Sequence, residues 1–210
     1  MIKKNWKVLL ITSVVILLPI VAGVILWDQL PDRFPIHWNI NGEVDGWCGK
    51  PEGVFGLPLL LVALQWLSVL VINADPKKRN QSEKVQALIL WLIPVMSILL
   101  AAATYSMAMG KNVDMLMLIA VVMGVLFVFI GNYLPKCRQN YTIGIRLPWT
   151  LSSEANWNKT HRLAGWVCVI GGILTIGAGF LKLYPLIVGA FLIMAIVPVV
   201  YSYVLYRKGV

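Results

Sequence analysis

The chain has 210 residues, of which 59% are hydrophobic and only 13% are charged, and its mean hydropathy is +0.79. Soluble domains carry roughly 25% charged residues, so this composition excludes an ordinary soluble fold. The formal net charge of +9 needs a separate explanation, because in a soluble chain it would suggest binding to nucleic acid.

Six apolar stretches are long enough to cross a bilayer, which takes roughly 20 residues of helix. They cover residues 8–27, 54–73, 85–109, 115–134, 164–181 and 184–206, and they contain no Asp, Glu, Lys or Arg. The sequence therefore predicts an all-α, polytopic membrane protein built as a bundle of six transmembrane helices. Spans without charged groups also argue against an ion-coupled transporter, which keeps such groups within the membrane.

The basic residues are distributed unequally between the two sides of the predicted bundle. If both termini are cytoplasmic, Arg33, Lys50, Lys111 and Lys182 lie outside, and the other 14 of the 18 Lys and Arg residues lie inside. Because basic residues resist translocation, this bias predicts cytoplasmic N- and C-termini. The inner loops, facing anionic lipid, account for the net charge, so we expect no direct binding of nucleic acid.

The predicted outer loop carries the motif at residues 30–47. Its prolines and the Asn-Gly dipeptide at residues 41–42 predict a short extracellular hairpin. On such a hairpin Glu43 and Asp45 can approach the imidazole of His37. These three residues either form a ligand or cation site, or hold a hydrogen-bonded His while the tryptophans of the loop anchor it at the interface. One His with carboxylates is not a typical metal signature, so we assign no metal and no cofactor.

The second dense motif lies at residues 131–162, on the predicted cytoplasmic side. An interfacial helix is expected to begin near Ser152 or Ser153, with Glu154 at its positive end. Glu154 and His161 lie two turns apart on this helix and can hold and activate a water, as in an intramembrane hydrolase. The same spacing also describes an interfacial helix with a Glu cap and a hydrogen-bonded His. No HExxH pattern supports the enzyme, and both interpretations stay open.

The two motifs resemble the signatures of the SdpI family of bacterial membrane proteins. LPDRFPIHWNINGEVDGW resembles the family's N-terminal domain of unknown function, and GNYLPKCRQNYTIGIRLPWTLSSEANWNKTHRLAGW resembles its C-terminal domain. Together with the spans, the resemblance divides the chain into three segments. Residues 1–75 carry two helices and the outer motif, residues 76–110 a basic inner loop and the third span, and residues 111–210 the C-terminal region.

The resemblance implies a function in the bacterial cell membrane. It implies immunity against a secreted, membrane-active peptide toxin, and a signalling role in which a cytoplasmic repressor is sequestered at the membrane. Membrane lipids are the third expected partner. The alternative is a membrane-embedded peptidase that uses Glu154 and His161, or else the His37, Glu43 and Asp45 set. The candidate ligand-binding residues of the two motifs are His37, Trp38, Asn39, Glu43, Asp45, Asn132, Asn140, Arg146, Trp149, Thr150, Trp157, His161 and Arg162.

Overall fold

The computed structural model describes residues 2–39, 41–77, 80 and 83–210. In this part of the chain, six helices are long and apolar enough to cross a membrane, which confirms the predicted architecture. That both termini face the cytoplasm stays a prediction. The helices are α1 Ile2–Ile25, α2 Leu57–Ala74, α3 Glu83–Ala108, α4 Met115–Tyr133, the short α5 Pro148–Ser152, α6 Glu154–Phe180 and α7 Tyr184–Arg207.

Contacts between residues group the chain into two compact units, which are described separately. The first unit comprises Met1–Asn73 and Gln86–Met115, and the second comprises Ala74–Val85 and Leu116–Val210. The short connection between α2 and α3 thus groups with the second unit. The division at residues 75 and 110 stays a prediction about sequence motifs.

Polar side chains join the helices of the first unit. Gln65 on α2 donates from Nε2 to Oγ1 of Thr12 on α1 over 2.8 Å, and Ser97 on α3 donates to the carbonyl of Ile16 over 2.8 Å. All three polar side chains are fully buried. Water cannot satisfy such groups within a bilayer, so they bond between helices and fix α1 against both of its neighbours.

A two-stranded hairpin follows α1, with β1 at Arg33–Trp38 and β2 at Val44–Gly49 in antiparallel pairing. Phe34 anchors it, because its ring is 1% exposed and meets the ring of Tyr105 edge-on at 5.9 Å. Gly53 is required beneath this ring, since a Cβ there would lie 2.4 Å from Cγ of Phe34. The hairpin is therefore fixed to its own unit by a buried aromatic side chain.

In the second unit, α6 packs closely against both α4 and α7. A Cβ at Gly172 would lie 2.6 Å from the carbonyl oxygen of Gly124 on α4. On another face of α6, a Cβ at Gly171 would lie 2.5 Å from Sδ of Met194 on α7. Small residues let helix backbones approach in a membrane, and here they make α6 the central helix of this unit.

The polar start of α6 is part of the same continuous helix. The predicted fifth span begins at residue 164, whereas α6 begins ten residues earlier at Glu154. Oγ of Ser153 accepts from the amide of Asn156 at 3.2 Å, which confirms the expected cap. Hydropathy does not register these first turns because they are polar.

Candidate functional site

The turn of the hairpin is organised by Asn39. Its Oδ1 accepts from the amides of Asn41 at 2.9 Å and Glu43 at 3.0 Å, and its Nδ2 donates to Oε2 of Glu43 at 3.0 Å. Gly42 adopts a φ of +83°, which glycine tolerates without strain. Asn39 and Glu43 therefore shape the turn by bonding to each other.

Of the set that the sequence suggested, His37, Glu43 and Asp45, the structure pairs His37 with Asp45. Nδ1 of His37 lies 2.5 Å from Oδ1 of Asp45, and both side chains are substantially exposed. Glu43 is not part of this pair, because its carboxylate is bonded to Asn39. The strand register shifts on both sides of His37, so the residues of β2 do not alternate regularly beneath the imidazole. Within the described residues, no group of three or more His, Cys, Asp or Glu is placed to hold a metal ion.

The remaining apolar side chains of the hairpin divide into half-buried and exposed ones. Trp38 is half-buried, and its indole Nε1 is buried with no hydrogen-bond partner among the described residues. Ile36 and Trp47 are 57% and 50% exposed. The hairpin thus presents apolar area beyond what its own unit covers.

The second candidate site is the loop at residues 137–153, between α4 and α6, which we name the signature loop. Asn140 is 1% exposed and makes four bonds with the backbone. Its Oδ1 accepts from the amides of Thr142 and Ile143, and its Nδ2 donates to the carbonyls of Arg138 and Ile143. The side-chain amide of Asn140 thus accepts two hydrogen bonds and donates two, all with the backbone of the loop. Asn140 therefore folds the loop and is not free to bind a ligand.

Trp157 and His161 support the signature loop from beneath. Their rings stack at 4.0 Å, and both side chains are almost fully buried. Nε2 of His161 accepts from the amide of Ile145 at 3.0 Å, which leaves Nδ1 to donate to the carbonyl of Trp157 at 2.9 Å. Nε1 of Trp157 donates to the carbonyl of Cys137 at 2.7 Å. Both imidazole nitrogens are therefore engaged within the protein.

Two further predicted residues hold the loop, Thr150 by bonds within it and Trp149 by contacts with α7. Oγ1 of Thr150 is buried, accepts from the amide of Leu147 at 2.9 Å and lies 2.8 Å from the carbonyl of Ile145. Trp149 donates from Nε1 to Oγ of Ser202 on α7 at 3.0 Å and stacks on Tyr206. These contacts tie the loop to the last helix of the same unit.

The other predicted residues of this region are exposed. Arg146 donates to the carbonyl of Tyr141 at 2.8 Å, while Asn132 and Arg162 lie at the surface. Glu154 is also exposed, whereas His161 is buried with both nitrogens bonded. The structure does not bring Glu154 and His161 together as a pair that could activate a water.

Sequence reasoning missed Asp75, which follows α2. Asp75 is 4% exposed, and its carboxylate accepts from the amides of Lys77 and Tyr141 and from the hydroxyl of Thr142 at 2.5 Å. Gln139 receives a further bond from the side chain of Lys77 at 2.8 Å. The signal in the sequence was a single carboxylate directly before a proline at the end of a span, a pattern typical of a local turn. Nothing in that pattern indicated a partner 66 residues later in the chain.

Comparisons with known proteins agree with both motifs. Residues 136–202 match the SdpI/YfhL protein family, and residues 14–62 match a domain of unknown function, DUF1648. The chain is 26% identical to the Immunity protein SdpI of Bacillus subtilis (strain 168) over 209 residues, covering 98% of this chain and 97% of the relative. No solved structure matches the chain. This multi-pass membrane protein therefore carries an SdpI-type segment at residues 136–202 and is similar to an SdpI protein from end to end.

Proposed function

We propose that the protein is an immunity protein of a bacterial cell membrane, which protects its cell against a secreted, membrane-active peptide. The observation that carries this proposal is the similarity to an immunity protein over nearly the whole of both chains. In the proposed topology both termini are cytoplasmic, the hairpin faces outward and the signature loop faces the cytoplasm. The distribution of Lys and Arg supports this orientation.

The two candidate sites support different parts of this role. The hairpin offers exposed apolar area, including Trp47, on the side from which a secreted peptide arrives. The signature loop is folded and carries the exposed cation Arg146, and Arg162 is exposed on α6. The proposal therefore includes a signalling role in which this loop holds a cytoplasmic repressor at the membrane.

A peptidase is less well supported by the geometry. The exposed Glu154 and the buried, doubly bonded His161 do not form a catalytic pair, and the hairpin pairs His37 with one carboxylate only. Protection by binding requires no such pair, so the arrangement favours an immunity protein that captures or shields.

A survival assay tests the proposal. The gene is expressed in a Bacillus subtilis strain that lacks SdpI. The cells are then exposed to the peptide toxin against which SdpI gives immunity. We expect survival above that of cells with an empty vector. Trp38→Ala and Asp45→Ala should lower protection, because each alters the outward hairpin, whereas Trp166→Ala on the exposed face of α6 should not. Inserted protein that gives no gain in survival would overturn the proposal.

Incubation of the purified protein with the same peptide separates capture from cleavage. Mass spectrometry should recover the peptide intact. Cleavage that disappears in Glu154→Gln would replace the proposal with the peptidase.

A further inference from the structure

The first unit contains an apolar groove next to the hairpin. It has a volume of about 240 Å³ and lies between α1 and α3. Its lining includes Leu18, Pro19 and Ala22 on α1, and Ile98, Ala102 and Tyr105 on α3. These positions lie within the candidate membrane spans, so the groove opens along the apolar part of the unit.

Tyr105 joins this groove to the hairpin. Its hydroxyl donates to the carbonyl of Pro19 at 3.0 Å, which holds α3 against α1 at the floor of the groove. Its ring meets the buried ring of Phe34 on β1 edge-on at 5.9 Å. The groove and the hairpin are therefore neighbours within a single packed unit.

The size of the groove limits what it can hold. Pockets that bind whole small molecules have volumes of roughly 300–1,000 Å³. A groove of about 240 Å³ is smaller, and it accommodates one or two apolar side chains of a larger partner. Such a partner must gain most of its contacts elsewhere, and the adjoining hairpin offers them.

The hairpin supplies exposed apolar side chains for those contacts. Ile36 is 57% exposed and Trp47 is 50% exposed. Trp47 pairs with Pro35 in the ladder, so the backbone of two strands holds its position. A fixed, exposed tryptophan is typical of the residues that carry much of the free energy in protein interfaces.

The exposed carboxylates around the hairpin indicate the charge of the partner. The side chain of Asp32 is 98% exposed and that of Asp45 is 45% exposed, and Glu43 at the turn is exposed as well. A surface that shows carboxylates beside apolar groups attracts cations and repels the anionic headgroups of lipids.

The nearby cations do not cancel this acidic character. The side chain of Lys50 is only 14% exposed, and its ammonium group forms an ion pair with Asp32 at 3.3 Å, bonds to the carbonyl of Trp27 at 3.2 Å and lies over the ring of that residue. Lys50 therefore offsets one carboxylate. With the exposed Arg33, residues 28–52 hold two cations against five exposed carboxylates, those of Asp28, Asp32, Glu43, Asp45 and Glu52. The net field of the hairpin is therefore negative.

We propose that the hairpin and the groove together bind a cationic, amphipathic peptide. Its basic residues meet Asp32, Glu43 and Asp45, an apolar segment packs on Trp47, and an apolar side chain enters the groove beside Ala102. This inference rests on the proposed function and names the chemistry of the toxin. A lipid acyl chain as the occupant of the groove is one outcome of the test.

The test uses the full-length protein in nanodiscs of neutral phosphatidylcholine, with empty nanodiscs as background. Two labelled synthetic helices are compared by fluorescence anisotropy. They share one apolar pattern, and one carries Lys where the other carries Glu. We expect the Lys peptide to bind at least about tenfold more tightly than the Glu peptide, and its affinity to fall as salt is raised.

Four variants locate the binding surface. Trp47→Ala should weaken binding of the Lys peptide about tenfold. Asp32→Asn and Asp45→Asn should each weaken it about twofold to fivefold, with the larger effect at low salt. Ala102→Phe fills the groove without touching the hairpin and should weaken binding about tenfold. The matched controls lie in the second unit and should leave the affinity unchanged: Trp166→Ala changes an exposed side chain, and Gly189→Phe a position where an added Cβ meets open space.

The outcomes separate this inference from the proposed function. Equal affinity for the Lys and Glu peptides, or binding that ignores both Trp47→Ala and Ala102→Phe, overturns the inference. Binding that ignores only Ala102→Phe assigns the groove to lipid and also overturns it as stated. Protection of cells in the survival assay, together with any of these results, leaves immunity standing. Selective binding of the Lys peptide without protection rejects immunity and retains the peptide site.

Discussion

The backbone amide of Ile145 donates a 3.0 Å hydrogen bond to Nε2 of His161, and this bond fixes the signature loop onto the start of α6. The stacked ring of Trp157 supports the imidazole from one side, while Gly144 lies close to Nε2. His161 therefore acts as a structural acceptor for the loop, and the exposed side chains of the loop are left for the proposed cytoplasmic partner.

Gly144→Ala is expected to destabilise the signature loop. Gly144 has a φ of +114°, and an added Cβ would lie 2.4 Å from Nε2 of His161. Both the backbone strain and the clash disfavour a side chain, so we expect a loss of about 1–3 kcal/mol in the free energy of unfolding. Thermal unfolding in detergent measures it. Gly110→Ala is the control, because Gly110 also has a positive φ but has open space around it. Equal losses in the two variants would contradict the role given to His161.

Asp75→Ala should loosen the signature loop without altering any residue within it. The variant removes a buried acceptor from the amide of Tyr141 and the hydroxyl of Thr142, which costs about 1–3 kcal/mol. Hydrogen exchange of residues 139–143 should become faster. The exposed Asp28→Ala serves as the control and should leave this exchange unchanged. Unaltered protection of residues 139–143 in the Asp75 variant would show that the carboxylate does not hold the loop.

Gly172→Leu should separate α6 from α4. The carbonyl oxygen of Gly124 leaves no room for a side chain at position 172, and backbone cannot move aside as a flexible side chain can. We expect a lower thermal midpoint and a lower yield of monodisperse protein. A Cβ added at Gly189 on α7 meets no atoms within 4 Å, so Gly189→Leu should be tolerated. Similar midpoints for both variants would argue against the close packing of α6.

Cys48 should react slowly with iodoacetamide at pH 7. Burial, with a further contribution from Glu52, raises the pKa of the Cys48 thiol. A smaller fraction is therefore thiolate at neutral pH, and the rate should keep rising at alkaline pH after that of an ordinary thiol has levelled off. An Asn41→Cys variant supplies the ordinary thiol on the same hairpin. Rate profiles with the same midpoint would exclude a raised pKa.

The sequence predicted the elements whose signal is local. Apolar length identified all six spans, and the turn residues with the alternation after Pro35 identified the hairpin and the pairing of His37 with Asp45. Glu43 was also expected near His37. That expectation failed because Asn39 binds its carboxylate and the register shifts beside His37, and neither effect has a signature in the residue pattern.

The signature loop, by contrast, shows what the sequence could not predict. The sequence predicts a dense set of polar residues here. What each residue does depends on whether its side chain is buried, and burial depends on contacts with residues far away in the chain. The side chains of Asn140 and His161 accept hydrogen bonds from backbone amides of the loop. Asp75, which follows α2, accepts a bond from the loop amide of Tyr141. Such assignments need tertiary structure, because a pattern of polar residues is the same whether they face a ligand or the interior.

The proposed topology stands or falls with the side of the membrane that each candidate site faces. Asn41→Cys on the hairpin and Ser152→Cys in the signature loop are each made in a background with Cys48→Ser, Cys137→Ser and Cys168→Ala, and intact cells are treated with a membrane-impermeant maleimide. The proposed topology requires labelling at position 41 in intact cells and at position 152 only after the membrane is permeabilised. Labelling of position 152 from outside, or protection of position 41, would contradict it.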